Sequence, residues 1–548
     1  MTPAPRPAAT VALLREAADA IEVFMLQRTR GAAFLAGAYV FPGGAIDEAD
    51  AEARVWQRVT GLSDAEASAR LGLASGGLAY WVAAVRECFE EAGILIACDE
   101  DGHPVGAERA AALEHLREPL NSGELPFVEF LERERLIVPA QQLAYFGHWI
   151  TAPGRSRRFD TRFFVAVAPR GQQGSHDNSE TIHNLWLRPQ DALGQNAEGK
   201  IELVFATKHT LSEIARFARP HEAFEHARAL PEIDTNRACW AQGRDGPKLF
   251  RRADPQYFEI HWCDPDESGN TSYEIVPGAP KRLDRLVTRV TAPNPGMMTG
   301  PGTNTYLVGE DELAVIDPGP AIGSHIEAVL AAGAGRIKWV LCTHTHLDHS
   351  PAAAAIREAT GAQIIGRPAP AGASQDQGFA PARTPAHGET LELGSLALRA
   401  LHTPGHASNH LCYHLAQTGM LFTGDHVMQG STVVINPPDG DMRAYLASLE
   451  ALLAQDVAIF APGHGYLIGA PQRELRRLIA HRLAREAKTV AALARLGDAA
   501  LEELVPAVYD DVPAKLHGVA ARSLRAHLDK LVAERRAIVE NDRYRPLG

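Results

Sequence analysis

The chain of 548 residues is too long for one hydrophobic core, so two to four domains are expected. Hydrophobic residues make up 45% and charged residues 22%, a globular balance that excludes a long disordered chain. A formal net charge of −13 disfavours non-specific capture of nucleic acid by the molecule as a whole, and any such binding would need a local basic patch.

The N-terminus "MTPAPRPAATVALLREAADAIEV" lacks a basic region followed by an apolar one, so no leader is expected. No apolar run is long enough to span a bilayer, and no membrane association is expected. Six cysteines (Cys88, Cys98, Cys239, Cys263, Cys342, Cys412) are scattered without a CxxC pair. They indicate neither a disulfide framework nor a cysteine zinc site, and they fit a reducing, cytoplasmic compartment.

The first block, 1–245, opens with strand-like runs "ATVALL" and "IEVFMLQR", then "AYVFPGG". In the last, Gly43 and Gly44 follow a strand and allow close backbone approach to a phosphate. Further on, "LAYWVAAVRECFEEAGI" reads as a helix capped by Gly93. Glu87, Glu90 and Glu91 fall at i, i+3 and i+4 and share one face. Clustered carboxylates repel unless cations are present, and hard oxygens suit Mg²⁺ carrying substrate phosphates. Arg86 can orient a neighbouring carboxylate through a charge-assisted hydrogen bond. The bland alternative is a solvated, glutamate-rich helix face.

"FPGG" with "VRECFEEAGI" resembles the Nudix box of diphosphate hydrolases. The box is interrupted: residues 51–78 look inserted, and Asp50 stands where the family has its first glutamate. Such an interrupted box is similar to that of the coenzyme A diphosphatase subgroup, as are "EVFMLQRTRGAAFLAGAYVFPGG" and "RRFDTRFFVA". The resemblance implies an α/β/α sandwich in which Glu87 and Glu91 bind Mg²⁺ or Mn²⁺. Glu90 would assist, with Glu87 and Glu90 the candidate catalytic residues and Glu180 an added ligand. Gly43, Gly44 and Arg86 are the candidate cofactor-binding residues.

Residues 246–282 are rich in Pro, Gly and Asp and read as a connector with one or two strands. From 283 to 485, strand-like runs ("NTYLVG", "ELAVID", "WVLCTH", "AQIIG", "MLFTGD", "VAIFAPGH") alternate with helix-like ones ("IEAVLAAGA", "PAAAAIREATG", "MRAYLASLEALLA"). That pattern predicts an α/β layered fold. Four segments end an apolar strand with ligand-type residues: "CTHTHLDHSP", "LHTPGHASNH", "MLFTGDH" and "IFAPGHG". Adjacent glycines let strand ends converge. His344, His346, Asp348, His349, His406, Asp425 and His464 are enough N and O ligands for two metals. Zinc suits them best, with iron or manganese as competitors. Two ions ~3.5–4 Å apart can polarise an acceptor oxygen and bring the pKa of a bridging water towards ~7.

In that order the four motifs resemble those of the metallo-β-lactamase superfamily. "NPGMMTGPGTNTYLVG", "AVIDPG" and "IAHRLARE" are similar more narrowly to the beta-lactamase-like protein 2 family. The resemblance spans roughly 283–548 and implies an αβ/βα sandwich. It assigns His344, His346 and His406 to one metal and Asp348, His349 and His464 to the other, with Asp425 between. Asp348 is also a candidate catalytic residue, and Asp317 would order the ligand loop.

The tail, 486–548, carries Lys515, Arg522, Arg525, Lys530, Arg535, Arg536, Arg543 and Arg545. Leu516, Val519, Leu524, Leu528, Leu531 and Val532 give a helical apolar face, and Asn541–Asp542 suits a hairpin turn. This looks like a small winged-helix module. Its basic face is read either as a grip on phosphates or RNA, or as a solvated face that packs on the hydrolase or makes a homo-oligomer.

The combined expectation is a multidomain α/β and α+β hydrolase with two centres. One attacks an ester, thioester or phosphodiester with metal-bound hydroxide. The other cleaves a diphosphate, with acyl-CoA or nucleotide derivatives as small-molecule substrates. The alternative is a single-strand endoribonuclease carrying a regulatory or inactive nucleotide-binding Nudix domain.

Overall fold

The computed structural model describes residues 3–17, 20–29, 31, 35–177 and 180–547. The chain divides into two compact units, 1–238 and 239–548. No helix among the described residues is long and apolar enough to cross a membrane.

In the first unit the strand Arg6–Ala17 organises the sheet. It runs antiparallel to Ala20–Arg28 and parallel to Phe159–Val167. The strand order is Thr181–Leu187, Ala20–Arg28, Arg6–Ala17, Phe159–Val167, Ala144–Ile150, Thr235–Arg237, with the short Tyr39–Val40 and Gly43–Ala45 paired alongside. Side chains alternate across the sheet. Ala9, Val11 and Leu13 therefore pack on the helix Leu78–Ala92 through Trp81, Val85 and Phe89. Ala12 and Leu14 face the other way, in a cluster with Leu211, Ile214 and Ala223 of the helices Phe205–Ile214 and Pro220–Ala229. The result is an α/β/α sandwich. Residues 51–78 join the first of these cores through Val55, Leu62, Ala67 and Leu71.

The second unit stacks two sheets. One runs Pro280–Arg282, Val287–Thr291, Asn304–Val308, Leu313–Ile316, Ile337–Leu341, Gln363–Ile365; the other runs Thr390–Leu393, Leu396–His402, Leu411–Leu415, Met420–Gly424, Ile459–Pro462. Tyr306, Val308, Ile316 and Leu341 of the first meet Leu398, Leu411, Tyr413 and Phe422 of the second in one buried cluster. The helices Gly323–Gly333 and Ala353–Thr360 cover the outer face of the first sheet. Met442–Leu453 and Pro471–Leu496 cover that of the second. This is the αβ/βα arrangement.

Two boundaries differ from the sequence reading. Residues 246–282, read as a connector with one or two strands, hold two strands and also a helix, and belong to the second unit. They contribute half of a hairpin (Cys239–Ala241 with Lys248–Phe250), the helix Tyr257–Cys263 and the edge strand Pro280–Arg282 to the second unit. Their anchor is a buried charge, Glu259, whose partners Lys281 and Arg289 lie further along the chain. The 485/486 boundary falls inside the single helix Pro471–Leu496, which passes from the sheet sandwich into the tail because both cores draw on its apolar side. Beyond it, Leu501–Val508 and His517–Ala533 pack over a small three-stranded sheet. Asn541 and Asp542, at φ 54 and 59, turn the hairpin between Ala537–Glu540 and Arg543–Pro546.

Candidate metal centres

In the second unit all seven ligand-type residues of the sequence reading come together at the strand ends. His344 Nε2 lies 2.9 Å from His346 Nδ1, and His406 Nε2 lies 3.1 Å from the same atom. Nearby, His349 Nε2 is 3.5 Å from Asp348 Oδ2, and His464 Nε2 is 3.3 Å from it. Asp425 faces both groups. Its Oδ1 is 3.4 Å from His349 Nε2 and 3.3 Å from His464 Nε2, and its Oδ2 is 3.8 Å from His406 Nε2. Four tetrahedral ligands at about 2.0–2.1 Å from zinc would stand about 3.4 Å apart, the spacing seen here. His349 Nε2, His464 Nε2 and Asp425 Oδ1 are buried without a hydrogen-bond partner. Buried polar atoms are rarely left so, and these point at one another. The donor set fits divalent cations.

Three of the imidazoles, His349, His406 and His464, are aimed from behind. Asp317 ends the strand Leu313–Ile316 at φ 50 and accepts from the Thr343 backbone at 2.7 Å, from its hydroxyl at 2.8 Å, and from His349 Nδ1 at 2.9 Å. His406 Nδ1 donates to Val434 O at 2.8 Å and His464 Nδ1 to Gly302 O at 3.2 Å. Those bonds leave Nε2 free for a cation, as ligand histidines require. His346 alone turns Nδ1 inward. Gly463 is needed for closeness, since a Cβ there would stand 2.6 Å from Asp425 Oδ1 and 2.7 Å from His349 Cε1.

In the first unit the acidic helix meets the glycine loop. Gly43 N–H donates to Glu91 Oε2 at 2.9 Å, and a Cβ on Gly44 would collide with the Glu87 carboxylate. Arg86 holds Asp50 through both oxygens (3.0 and 2.9 Å), Glu87 at 2.9 Å, Glu90 at 3.0 Å and Ala45 O at 3.1 Å. The residue that Arg86 chiefly orients is thus Asp50, which is 1% exposed. Glu180 pairs with Arg28 at 3.1 Å. Among the described residues, ligand atoms within 4.8 Å of one another form three overlapping sets in the second unit and an exposed Asp99, Asp101, His103 set; the three glutamates do not form one.

Residues 298–464 match the profile of the metallo-beta-lactamase superfamily, 64–214 that of the NUDT19 Nudix domain, and 500–545 that of the beta-lactamase associated winged helix domain. The thioesterase pkgB of Emericella nidulans is 32% identical over 242 residues, 43% of this chain and 68% of that protein. An atrochrysone carboxyl ACP thioesterase of Aspergillus chevalieri is 30% identical over 307 residues, 53% of this chain and 95% of that protein. The chain belongs to the metallo-β-lactamase superfamily. It is a hydrolase of that superfamily joined to a Nudix domain and a winged helix, and both hydrolase families bind divalent metals. A beta-lactamase-like protein 2 homolog of Drosophila melanogaster is also 30% identical, over 274 residues, 46% of this chain and 92% of that protein.

The superfamily site carries its own charge logic. Burial, with His406 beside it, pushes His346 down to about 4, and burial with the neighbouring imidazoles holds His344 well below its ordinary value. Both are therefore neutral, ready to ligate. Around the second point the order reverses. Against burial, Asp425 and Asp348 lift His464 to about 9, and Asp348 and Asp425 lift His349 well above the usual range. Without a cation the two carboxylates keep protons on these imidazoles, in the place where a cation's charge would stand. In the Nudix domain burial pushes Glu87 and Glu90 up to about 7 although Arg86 pulls them down, and burial with Glu87 beside it raises Glu91 well above its ordinary value.

Sequence reasoning did not find the acids that hold the tail's basic residues. Glu486, 5% exposed, takes Lys530 at 2.7 Å and Arg536 at 2.6 Å; Arg543 pairs with Asp498 and Glu503, and Arg545 with Glu540. Half of the tail's cations are thus spent inside the module. The one signal was the acids at 486, 498 and 503, on earlier segments of the same tail that only the fold brings beside its basic helix and hairpin.

Proposed function

We propose that the second unit hydrolyses an acyl thioester and the first a diphosphate bond in a nucleotide derivative such as coenzyme A. The observation that carries the first part is the rim of the donor set. Met297 (75% exposed) and Leu347 (65%) are the two most exposed large apolar side chains among the described residues. Leu347 stands between the ligands His346 and Asp348. Met297 belongs to the loop whose Gly302 carbonyl holds His464. An apolar rim suits an acyl chain and not a phosphate backbone. The relatives named as thioesterases point the same way.

Two divalent cations, zinc foremost, would supply Lewis-acid polarisation and an acidified water at this site. His344, His346 and His406 would hold one and Asp348, His349 and His464 the other, with an Asp425 oxygen for each. Asp348, with a side chain 28% exposed against 11% for Asp425, is the more open of the two carboxylates and would take up a proton at the mouth only in passing, since against burial His349 and His464 pull its carboxyl down to about 2. Leu347 and Met297 orient the acyl chain. In the first unit Glu87, Glu90 and Glu91 would hold Mg²⁺ or Mn²⁺, the backbone of Gly43 and Gly44 would approach the phosphates, and Arg86 keeps the carboxylates in register.

Incubating the purified protein with acyl-CoAs, an acyl carrier protein thioester, single-stranded RNA and nucleotide diphosphate derivatives tests both parts. Free thiol and a phosphopantetheine-type product are expected. RNA cleavage with neither of them would sink the proposal.

A further inference from the structure

The loop 462–467 carries His464, and four of its backbone polar groups, Pro462 O, Gly463 O, Gly465 O and Leu467 N–H, are held by residues outside the ligand set. Asn304 N–H donates to Gly463 O at 2.7 Å, and Asn304 Nδ2 donates to Pro462 O at 3.1 Å and to Gly465 O at 2.9 Å. Tyr306 OH donates to Pro462 O at 2.7 Å. Beneath them lies a buried charge cluster. Glu259, 0% exposed, accepts from Arg289 through both oxygens (2.6 and 2.9 Å), from Lys281 Nζ at 2.6 Å and from the Leu467 N–H at 3.1 Å. Arg289, 1% exposed, also donates to Gly465 O at 3.3 Å. Glu259 therefore grips the loop twice, directly at Leu467 and through Arg289 at Gly465, on either side of Tyr466. The Tyr466 hydroxyl in turn donates to Tyr273 O at 3.0 Å, and Phe258 fills the space where a side chain on Gly469 would stand.

Glu259, Tyr273 and Lys281 all lie ahead of residues 298–464, where the superfamily profile matches. A buried ion pair is a poor stabiliser against an apolar pair of the same size, so its use here calls for another reason. Bidentate geometry fixes direction as well as distance, and the fixed object is the turn that aims His464 at Asp348 and Asp425.

We propose that Glu259 is a positioning residue for the His349–Asp348–His464 metal set, acting through Arg289 and the loop 462–467. This rests on the dinuclear reading above. The test uses the full chain stripped of metal, and compares it with Glu259→Gln and with the apolar pair Glu259→Met/Arg289→Met, which avoids an uncompensated buried arginine. Zn²⁺ titration by calorimetry, with metal counted by mass spectrometry, is expected to show two ions per wild-type chain. Both variants are expected to keep the first ion unchanged and to bind the second about 10–100-fold more weakly. Hydrogen exchange in the metal-free proteins is expected to rise at least about tenfold at 462–467 and to stay unchanged at 420–424, on the scale of a lost local clamp. If Glu259→Gln does not fold, the apolar pair decides. Wild-type exchange at 462–467 in the variants overturns the positioning role whatever metal is bound. Fewer than two ions on the wild type, with exchange still raised in the variants, overturns the dinuclear reading and leaves the clamp standing.

Discussion

In the Nudix domain the counter-charge is part of the chain. Arg86, five hydrogen bonds deep, sits among Asp50, Glu87 and Glu90 and reaches the Ala45 carbonyl. In the superfamily site no arginine or lysine among the described residues pairs with the seven ligands. His349 Nε2 and His464 Nε2 face Asp425 Oδ1 at 3.4 and 3.3 Å. A site with its own guanidinium can hold carboxylates in place while the cation comes and goes, as suits Mg²⁺ delivered with phosphates. A site of imidazoles and carboxylates with no guanidinium or ammonium of its own suits resident zinc.

The comparison is tested hardest by crossing one ligand variant from each unit. His346→Ala is expected to cut thioester hydrolysis by more than about 100-fold, beyond the loss typical of an outer partner, and to lower bound zinc, with diphosphate hydrolysis unchanged. Glu91→Gln is expected to do the reverse, lowering diphosphate turnover by about 100-fold or more, the usual reach of a positioned acid–base group. A variant that lowers both activities would break the division of labour.

A pH series sharpens the point about internal counter-charges. Against burial, Arg289 and Lys281 pull Glu259 down to about 2 from its ordinary 4.5. Its stabilising contribution is thus fully present above pH 4.5 and is lost as pH falls towards 2, amounting to about 3 kcal/mol. Acid unfolding followed by near-ultraviolet circular dichroism should show wild type and Glu259→Gln differing most above pH 4.5 and converging below it. The smallest effect belongs to the rim. Leu347→Ser should lower kcat/KM for long acyl chains by roughly tenfold, the worth of one buried leucine, and leave acetyl substrates nearly unaffected.

The metal ligands were legible because each group of them closes an apolar strand, three of the four beside a glycine, and a strand end is a local pattern. The acidic helix was legible for the same reason, since i, i+3 and i+4 is one face. Residues 246–282 were misread because Pro, Gly and Asp also mark folded turns, and what orders them is an ion pair from Glu259 to Arg289 that no local pattern displays. The basic face of the tail stayed open to two readings for the same reason, since the acids at 486, 498 and 503 that hold it lie on earlier segments of the module. That His346 faces inward through Nδ1 is a rotamer choice, invisible to any spacing rule.

The spread of the strand ends along the chain also has a consequence for biosynthesis. Gly43, Asp50, Arg86 and the three glutamates all lie within the first compact unit, which ends at residue 238. His344 and His346 wait for His406, about sixty residues later, and His349 waits for His464, more than a hundred residues later. At about 5–20 residues per second, a nascent chain therefore spends several seconds or more with one pocket formed and three histidines still waiting for their partners.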